Sequence, residues 1–231
     1  MLNTRFIFVE GIMGSGKSTT AWFLTEQLQR HGIPARFLLE GPTVEEPTHP
    51  LRIATGLPHP NAVWLDVTIE EYIALSLRKW YAFAQEAQQR ETVAACDGLL
   101  FHGNMTDLML MNARPEVLHV YVAQIIETIS ALNPVVIYSS LPDITRALRR
   151  ICEARGSKWE AYQVNWKVLS PYGRERSLHG FDGLVQLYQT YCALCEDIFA
   201  QLALPKLAIR NEGDWRTYYE EILNFLQLPA L

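Results

Sequence analysis

The chain has 231 residues, of which 49% are hydrophobic and 19% charged, and its formal net charge is −5. This length and composition fit one α/β domain with a substantial core, and the negative charge argues against a nucleic-acid partner, whose binding depends on neutralising phosphates. No apolar stretch approaches the roughly 20 residues that span a bilayer, and Arg5–Val9 runs directly into glycines, unlike a signal peptide. We therefore expect a single domain over residues 1–231, located in the cytoplasm, with no membrane partner.

Short apolar runs alternate with longer amphipathic ones along the chain, which is typical of a parallel sheet flanked by helices. Capping residues and helix-start signals, such as the capping-box pattern Thr68–Glu71, mark where helices should begin. The predicted helices begin near Gly16, Thr68, Pro115, Asp143 and Asp214. The predicted strands are Arg5–Val9, Ala35–Leu39, Leu99–Phe101, Val135–Tyr138 and Lys206–Ile209.

Two segments lie outside this alternation. Residues 41–67 contain five prolines and no periodic pattern, which predicts a long loop of the kind that commonly carries function. Residues 157–183 follow the fourth predicted strand and its helix, and they combine tryptophans and tyrosines with Lys167, Arg174 and Arg176. Because a mobile, positively charged cover would suit this position, we expect residues 157–183 to form a lid.

The segment Gly11–Ser18 matches the pattern G-x-x-x-x-G-K-[ST] at every fixed position, between an apolar strand and an amphipathic helix. Glycines in such a loop let backbone N–H groups point at phosphate oxygens, and the following helix directs its positive end at the same anion. The lysine adds a full charge near the β- and γ-phosphates, and the hydroxyl after it binds Mg²⁺. The pattern predicts an ATP and Mg²⁺ site formed by Gly11, Met13, Gly14, Ser15, Gly16, Lys17, Ser18 and Thr19, with Ser18 on the metal.

Two stretches resemble a known group of enzymes. Phe8–Thr19 resembles the opening of thymidylate kinases and deoxynucleoside kinases, in which a glutamate also precedes the first loop glycine, and Leu141–Ile151 resembles the stretch that enters the lid of thymidylate kinases. The resemblance implies the P-loop NTPase fold, with a parallel sheet in the spatial order 2-3-1-4-5, helices on both faces and a lid insertion. It also implies that Arg150 contacts the nucleotide and that Arg155 reaches the transferring phosphate. A similar layout occurs in small-molecule kinases that phosphorylate antibiotics or sugars.

The predicted third strand departs from this resemblance. Thymidylate and deoxynucleoside kinases carry Asp or Glu followed by Arg at the end of that strand, for work on the base and the substrate. Here Leu99–Phe101 is followed by His102, Gly103 and Asn104, so we expect neither the acid nor the arginine in place. The acceptor is therefore left open between a nucleoside or nucleotide, an antibiotic and a sugar-like molecule, and the catalytic carboxylate has to come from elsewhere.

Glu40 is the first candidate for that carboxylate, because it follows the second predicted strand and ligands bind beyond the carboxyl ends of parallel strands. It would accept the proton of an attacking hydroxyl or hold Mg²⁺ through water. His102 is predicted in the same crevice as a base or as a hydrogen-bond donor to substrate, and His49, held between prolines, is predicted to overhang it. Three further acidic residues are reserve candidates for the same role, although each is expected on the solvated surface: Glu45, Glu46 and Asp107.

Positive charge for catalysis is expected from the lid. Arg174 and Arg176 are predicted to approach the transferring phosphoryl group when the lid closes, because phosphoryl transfer gains most from charge placed there. Lys17 and Arg150 complete the predicted catalytic set. Each candidate also has an ordinary explanation, as an exposed strand-end carboxylate, a space-filling histidine or a solvated basic loop.

The leading hypothesis is an ATP- and Mg²⁺-dependent kinase that acts on a small hydroxyl- or phosphate-bearing molecule. Two other functions are left open: a nucleotide-dependent switch or regulator that hydrolyses slowly, and a non-catalytic nucleotide-binding subunit of a larger assembly. The guanine-reading pattern N-K-x-D is absent from the sequence, which argues against a GTPase. The expected partners are ATP and the acceptor, and a homodimer is left open. Cys192 and Cys195 are predicted to be helical core positions rather than a zinc or redox pair.

Overall fold

The computed structural model describes residues 3–40, 50–52, 67–210 and 214–229, which contain one sheet of five parallel strands connected through helices. None of these helices is both long and apolar enough to cross a membrane. The strands are β1 (Phe6–Gly11), β2 (Ala35–Leu38), β3 (Val93–Asp97), β4 (Val135–Ser140) and β5 (Lys206–Arg210). The helices are α1 (Lys17–Arg30), α2 (Ile69–Gln88), α3 (Asn104–Leu110), α4 (Pro115–Thr128), α5 (Ile144–Arg155), α6 (Ser157–Val168), α7 (Pro171–Glu175), α8 (Gly180–Gln201) and α9 (Trp215–Phe225).

Strand β1 lies in the middle of the sheet, whose spatial order is β2-β3-β1-β4-β5. Its side chains are buried and alternate between two cores, because successive residues of a strand point to opposite faces. Phe6 and Phe8 pack in the core that includes Trp80 of α2, whereas Ile7 and Val9 pack in the core that includes Leu24 of α1. The predicted α/β class with a parallel sheet is confirmed, and helices cover both faces.

Local sequence signals mark several helix starts correctly. The Thr68 hydroxyl accepts from the backbone N–H of Glu71, and the Glu71 carboxylate accepts from the N–H of Thr68, so the predicted capping box is present. Asp143 and Asp214 likewise accept backbone N–H groups at the starts of α5 and α9. These three predictions are confirmed because each capping residue satisfies N–H groups that the first helical turn leaves without a partner.

The prediction of the third strand at Leu99–Phe101 is wrong. β3 is Val93–Asp97, and the chain leaves the strand at Gly98, whose φ of +66° is accessible mainly to glycine. Leu99–Phe101 is buried as deeply as a central strand but forms the connection to α3. The error has a chemical consequence, because the strand ends on an acid, Asp97, which is followed by glycine rather than by arginine.

The segment predicted as a lid, residues 157–183, is helical. It consists of α6, α7 and the start of α8, and α6 packs against α5 and α8. Movement of this segment stays a prediction. Cys192 and Cys195 are buried, free thiols of α8, which confirms their placement in a helical core.

Candidate functional site

The loop Gly11–Ser18, here called the glycine loop, leads from the central strand into the N-terminus of α1. Gly14 and Gly16 have φ values of +79° and +87°, which β-carbons disfavour. Gly11 is held so close to β4 that a β-carbon would lie 2.6 Å from the carbonyl oxygen of Ser139. The Ser139 hydroxyl donates to the carbonyl of Ser15 at 3.0 Å. The glycines therefore permit a tight turn that ends at a helix N-terminus, the end of a helix that favours anions.

The other residues predicted to bind the nucleotide lie in this loop or on it. Ser18 and Thr19 are exposed at the start of α1. The Met13 side chain packs in the core, so Met13 could contact a nucleotide only through its backbone. Arg150 of α5 donates from Nη2 to the carbonyl of Gly14 at 2.9 Å. The resemblance that singled out Arg150 thus led to a residue that touches the glycine loop. Arg155, in contrast, lies with its guanidinium 5.0 Å from the ring centre of Trp159.

Asp97 is a site residue that the sequence prediction missed. It ends β3 directly beside Val9 of β1, and its side chain is 3% exposed. Burial raises the pKa of its carboxyl, and the neighbouring Lys17 ammonium and Ser18 hydroxyl offset part of that rise. The aliphatic part of the Lys17 side chain packs against Gly98, the residue after Asp97, since a β-carbon on Gly98 would lie 2.7 Å from Lys17 Cε. A carboxylate, a hydroxyl and a lysine therefore meet at the base of the glycine loop.

Glu40 and His102, which the sequence analysis assigned to one crevice, lie together on the other side of Lys17. Glu40 Oε2 is 3.8 Å from Lys17 Nζ and 3.5 Å from His102 Nε2. Burial raises the pKa of Glu40, but His102, Lys17 and Arg52 outweigh it and leave this pKa below its ordinary value. Burial lowers the pKa of His102 to about 3 despite Glu40. At neutral pH the pair is therefore an ionised carboxylate beside a neutral imidazole. His49 lies outside the described residues, as do Glu45 and Glu46.

Glu10 positions His102 by holding the loop in which it lies. Its carboxyl is completely buried and accepts the backbone N–H groups of Leu100, at 2.6 Å, and of His102, at 3.3 Å. Burial raises the pKa of Glu10 to about 8, against these hydrogen bonds and Lys17. The glutamate before the glycine loop thus joins β1 to the connection that follows β3.

A second set of polar groups lies behind Glu40. Asp107 Oδ2 accepts the Tyr72 hydroxyl at 2.7 Å and lies 3.4 Å from Arg52 Nη2. Arg52 also lies against the start of α3, where a β-carbon on Gly103 would be 2.7 Å from its Nη1. The expectation that Asp107 is a surface residue is wrong, because α3 is wholly buried and Asp107 is 4% exposed.

Lys167 is the second functional candidate that the sequence did not single out. It was expected only as one charge of a lid, but it is 1% exposed, and its neighbours include Asp107, Glu40, Arg52 and Lys17. Lys167 lies on α6 one turn after Gln163, and both side chains belong to the buried side of this helix. The apolar residues of α6 are not concentrated on one side, so no local pattern in the sequence marks Lys167 as buried.

Arg174 and Arg176 are not part of this cluster as the structure describes it. Arg176 donates to Asn112 Oδ1 at 2.8 Å and to the carbonyl of Tyr172 at 3.2 Å, and its guanidinium lies 3.8 Å from the centre of the Tyr172 ring. Arg174 is exposed in α7. These contacts hold Arg176 against the C-terminal end of α7 and near the end of α3, so an approach to the glycine loop would require them to break.

No protein-family model matches the chain, and no curated protein is significantly similar to it. Within residues 3–40, 50–52, 67–210 and 214–229, no group of three or more His, Cys, Asp or Glu side chains is placed to hold a metal ion.

Proposed function

We propose that this protein is an ATP- and Mg²⁺-dependent phosphotransferase of the P-loop NTPase fold that acts on a small hydroxyl- or phosphate-bearing molecule. One observation carries the proposal: Asp97 ends β3 beside Ser18 and Lys17, at the base of a loop with the phosphate-binding pattern. In P-loop NTPases a serine or threonine of the loop and an aspartate at a strand end hold Mg²⁺, while the lysine contacts the β- and γ-phosphates.

The residues present fit that ion. Asp97 Oδ1 is buried and has no hydrogen-bond partner among the described residues, which is unusual for a carboxylate oxygen unless a ligand is expected there. Mg²⁺ is held by one or two protein oxygens together with substrate phosphates and water, so the lack of a larger carboxylate cluster in the described part agrees with it. When bound between Ser18 and Asp97, the ion would neutralise charge on the nucleotide phosphates.

Glu40 is the residue that we propose for the acceptor. It is ionised, it borders Lys17, and it lies beyond the carboxyl end of β2, where ligands of parallel sheets bind. There it would orient an acceptor hydroxyl and take its proton. His102, neutral with a pKa of about 3, is a poor base near pH 7. We assign it to holding Glu40 in position.

Acceptor-dependent release of ADP tests this function. Purified protein with ATP and Mg²⁺ is supplied with nucleosides, nucleotides, antibiotics and sugars, and a kinase should release ADP at least about tenfold faster with its acceptor. Lys17→Ala should abolish this release with the fold intact, because Lys17 faces the ligand. The matched control is Lys158→Ala, which removes an exposed lysine of α6 and should leave the release unchanged.

The same assay separates the competing functions. Slow ADP release that no acceptor alters would favour a nucleotide-dependent switch or regulator over a kinase. ATP binding without any release of ADP would favour a non-catalytic nucleotide-binding subunit. Wild-type turnover in Lys17→Ala would overturn the role of the glycine loop altogether.

A further inference from the structure

Lys167 carries a buried charge that nothing in the described chain pairs directly. Its ammonium lies 3.6 Å from the ring centre of Trp166 and 5.9 Å from that of Tyr188, and it has no hydrogen bond or ion pair within the described ranges. Aromatic faces attract a cation but do not replace the counter-ion and hydrogen bonds that a buried ammonium requires. A lysine is almost never fully buried without a partner, so this charge requires an explanation.

Two more polar atoms beside Lys167 are also buried without a hydrogen-bond partner in the described part of the chain. They are the Tyr188 hydroxyl of α8 and Gln163 Oε1 of α6. Gln163 precedes Lys167 by one helical turn, so both lie on the same face of α6, and Tyr188 is close enough to Glu40 for this carboxylate to raise the pKa of its hydroxyl, after burial. Buried polar groups are normally hydrogen-bonded, so these two atoms, together with a buried lysine that has no ion pair among the described residues, indicate a missing ligand.

The charges around Lys167 determine the sign of that ligand. Asp107 is paired with Arg52, and Glu40 with Lys17, so both neighbouring carboxylates already have a cation. Asp97 is a third carboxylate, but it lies beside Lys17, and Lys167 has no ion pair among the described residues. Burial lowers its pKa to about 7, a change that Arg52 and Lys17 reinforce and that Asp107 and Glu40 oppose. A buried cation without an ion pair is costly unless an anion binds beside it.

We propose that Lys167, with the Tyr188 hydroxyl, binds an anionic group of the phosphate acceptor, so the acceptor carries a phosphate or a carboxylate besides the group that is phosphorylated. The inference rests on the proposed function, since it assigns the acceptor side of the same site. Glu40 lies near both lysines, which places the reacting group next to Lys17 and the anionic group next to Lys167. Neutral nucleosides and neutral sugars are poor acceptors on this view, and their phosphates or acids are better ones.

Binding of simple anions tests the inference without knowledge of the acceptor. Sulfate and malonate stand for a phosphate and a carboxylate, and they are titrated while a saturating non-hydrolysable ATP analogue with Mg²⁺ occupies the glycine loop. Lys167→Met should weaken anion binding at least about tenfold, whereas Lys158→Met, on the exposed face of the same helix, should leave it unchanged. Tighter binding of sulfate would indicate an acceptor phosphate, and tighter binding of malonate a carboxylate. Equal anion binding by both variants would overturn the inference.

A second measurement does not depend on the variant folding. Wild-type protein labelled with ¹³C at its lysine side chains has five signals to follow, and one lysine should titrate near pH 7. Sulfate should raise the pKa of that lysine, and sulfate should bind at least about tenfold more weakly at pH 9 than at pH 6. A lysine that titrates near pH 7 but whose pKa is unchanged by both anions would overturn the inference. The charged and titratable groups around Lys167 share one cluster and are the following: Asp107, Glu40, Arg52, Lys17, His102 and Tyr188.

The two proposals fail in different ways. If the ATP analogue does not bind but the anions still distinguish Lys167→Met from Lys158→Met, the kinase proposal is wrong and the anion site stands. If the analogue binds and acceptor-dependent ADP release is found with a neutral acceptor alone, the kinase proposal stands and the anion site is wrong.

Discussion

Glu40 Oε2 lies 3.8 Å from Lys17 Nζ, so the lysine that would meet the nucleotide phosphates already has a carboxylate beside it. Bound phosphates and Glu40 would compete for the same charge. Under the proposed function, Glu40 would therefore lower the affinity for the nucleotide, which is a cost unless the carboxylate is needed in the reaction.

This relationship predicts opposite effects of Glu40→Gln on binding and on turnover. We expect kcat to fall at least about 10²-fold, the low end for loss of a general base, and nucleotide affinity to stay the same or increase, because a negative charge near the phosphates is removed. Steady-state kinetics and titration with the ATP analogue measure the two. Glu26→Gln is the control, since Glu26 is also a half-exposed carboxylate near a cation. An unchanged kcat would remove Glu40 from the mechanism.

Replacing Asp97 should weaken the binding of Mg²⁺ rather than the binding of the nucleotide. Asp97→Asn keeps the size of the side chain but removes the charge, and we expect a loss of about 10- to 100-fold in Mg²⁺ affinity in the presence of ATP analogue, the range for groups that support a bound metal. The affinity for the analogue without Mg²⁺ should change little. Calorimetry at varied Mg²⁺ concentration measures both, with the exposed Asp182→Asn as the control. Equal Mg²⁺ affinity in Asp97→Asn and wild type would contradict the proposed metal site.

The raised pKa of Glu10 predicts that the stability of the protein depends on pH. Its pKa is raised to about 8 in the folded protein, from an ordinary value of 4.5. Between these values the unfolded chain has lost the proton that the folded protein keeps, so the stability due to Glu10 falls as pH rises through this window. His102 and Lys167 also titrate abnormally, and comparison with Glu10→Gln isolates the contribution of Glu10.

The measurement is the free energy of unfolding in urea at pH 5 and pH 8. The difference between wild type and Glu10→Gln should shift against wild type by at least about 1 kcal/mol over this range, the size of roughly one pKa unit. Glu26→Gln should leave the pH dependence of wild type unchanged. Parallel curves for wild type and Glu10→Gln would show that Glu10 is ionised in the folded protein.

The prediction that residues 157–183 form a lid can be tested through the contacts of Arg176. Arg176 must leave Asn112 and Tyr172 to reach a phosphoryl group, so hydrogen exchange of residues 157–183 should slow when the ATP analogue with Mg²⁺ is added and slow further with acceptor. Arg174→Ala combined with Arg176→Ala should reduce turnover far more than ATP binding, because the charges act on the transition state. Arg216→Ala, on the exposed start of α9, is the control. If neither ligand changes the rate of hydrogen exchange and the double variant is fully active, α7 is a fixed surface helix.

Much of the glycine loop and of the crevice was predictable from the sequence because their signals are local or follow from strand order. The residues of the glycine loop are identified directly by the contiguous pattern Gly11–Ser18. Glu40 follows a strand of a parallel sheet, and ligands bind beyond the carboxyl ends of such strands. His102 lies beside Glu40, but in the connection after β3 and not at a strand end as the sequence analysis predicted.

What only the tertiary structure decided is which of two apolar runs becomes the third strand and which charges are buried. Val93–Asp97 and Leu99–Phe101 are both apolar enough for a central strand, and the choice depends on backbone pairing with β1 and β2, which no local pattern records. That choice brings Asp97 to the glycine loop. Likewise, Lys167 and Asp107 have side chains that a sequence places on the surface, and both are buried in the structure. Asp107 is buried because α3 packs against α2, α4 and α7, and Lys167 because α6 packs against α5, α7 and α8. Local preferences determine where elements begin, whereas long-range packing determines which polar groups lose their water.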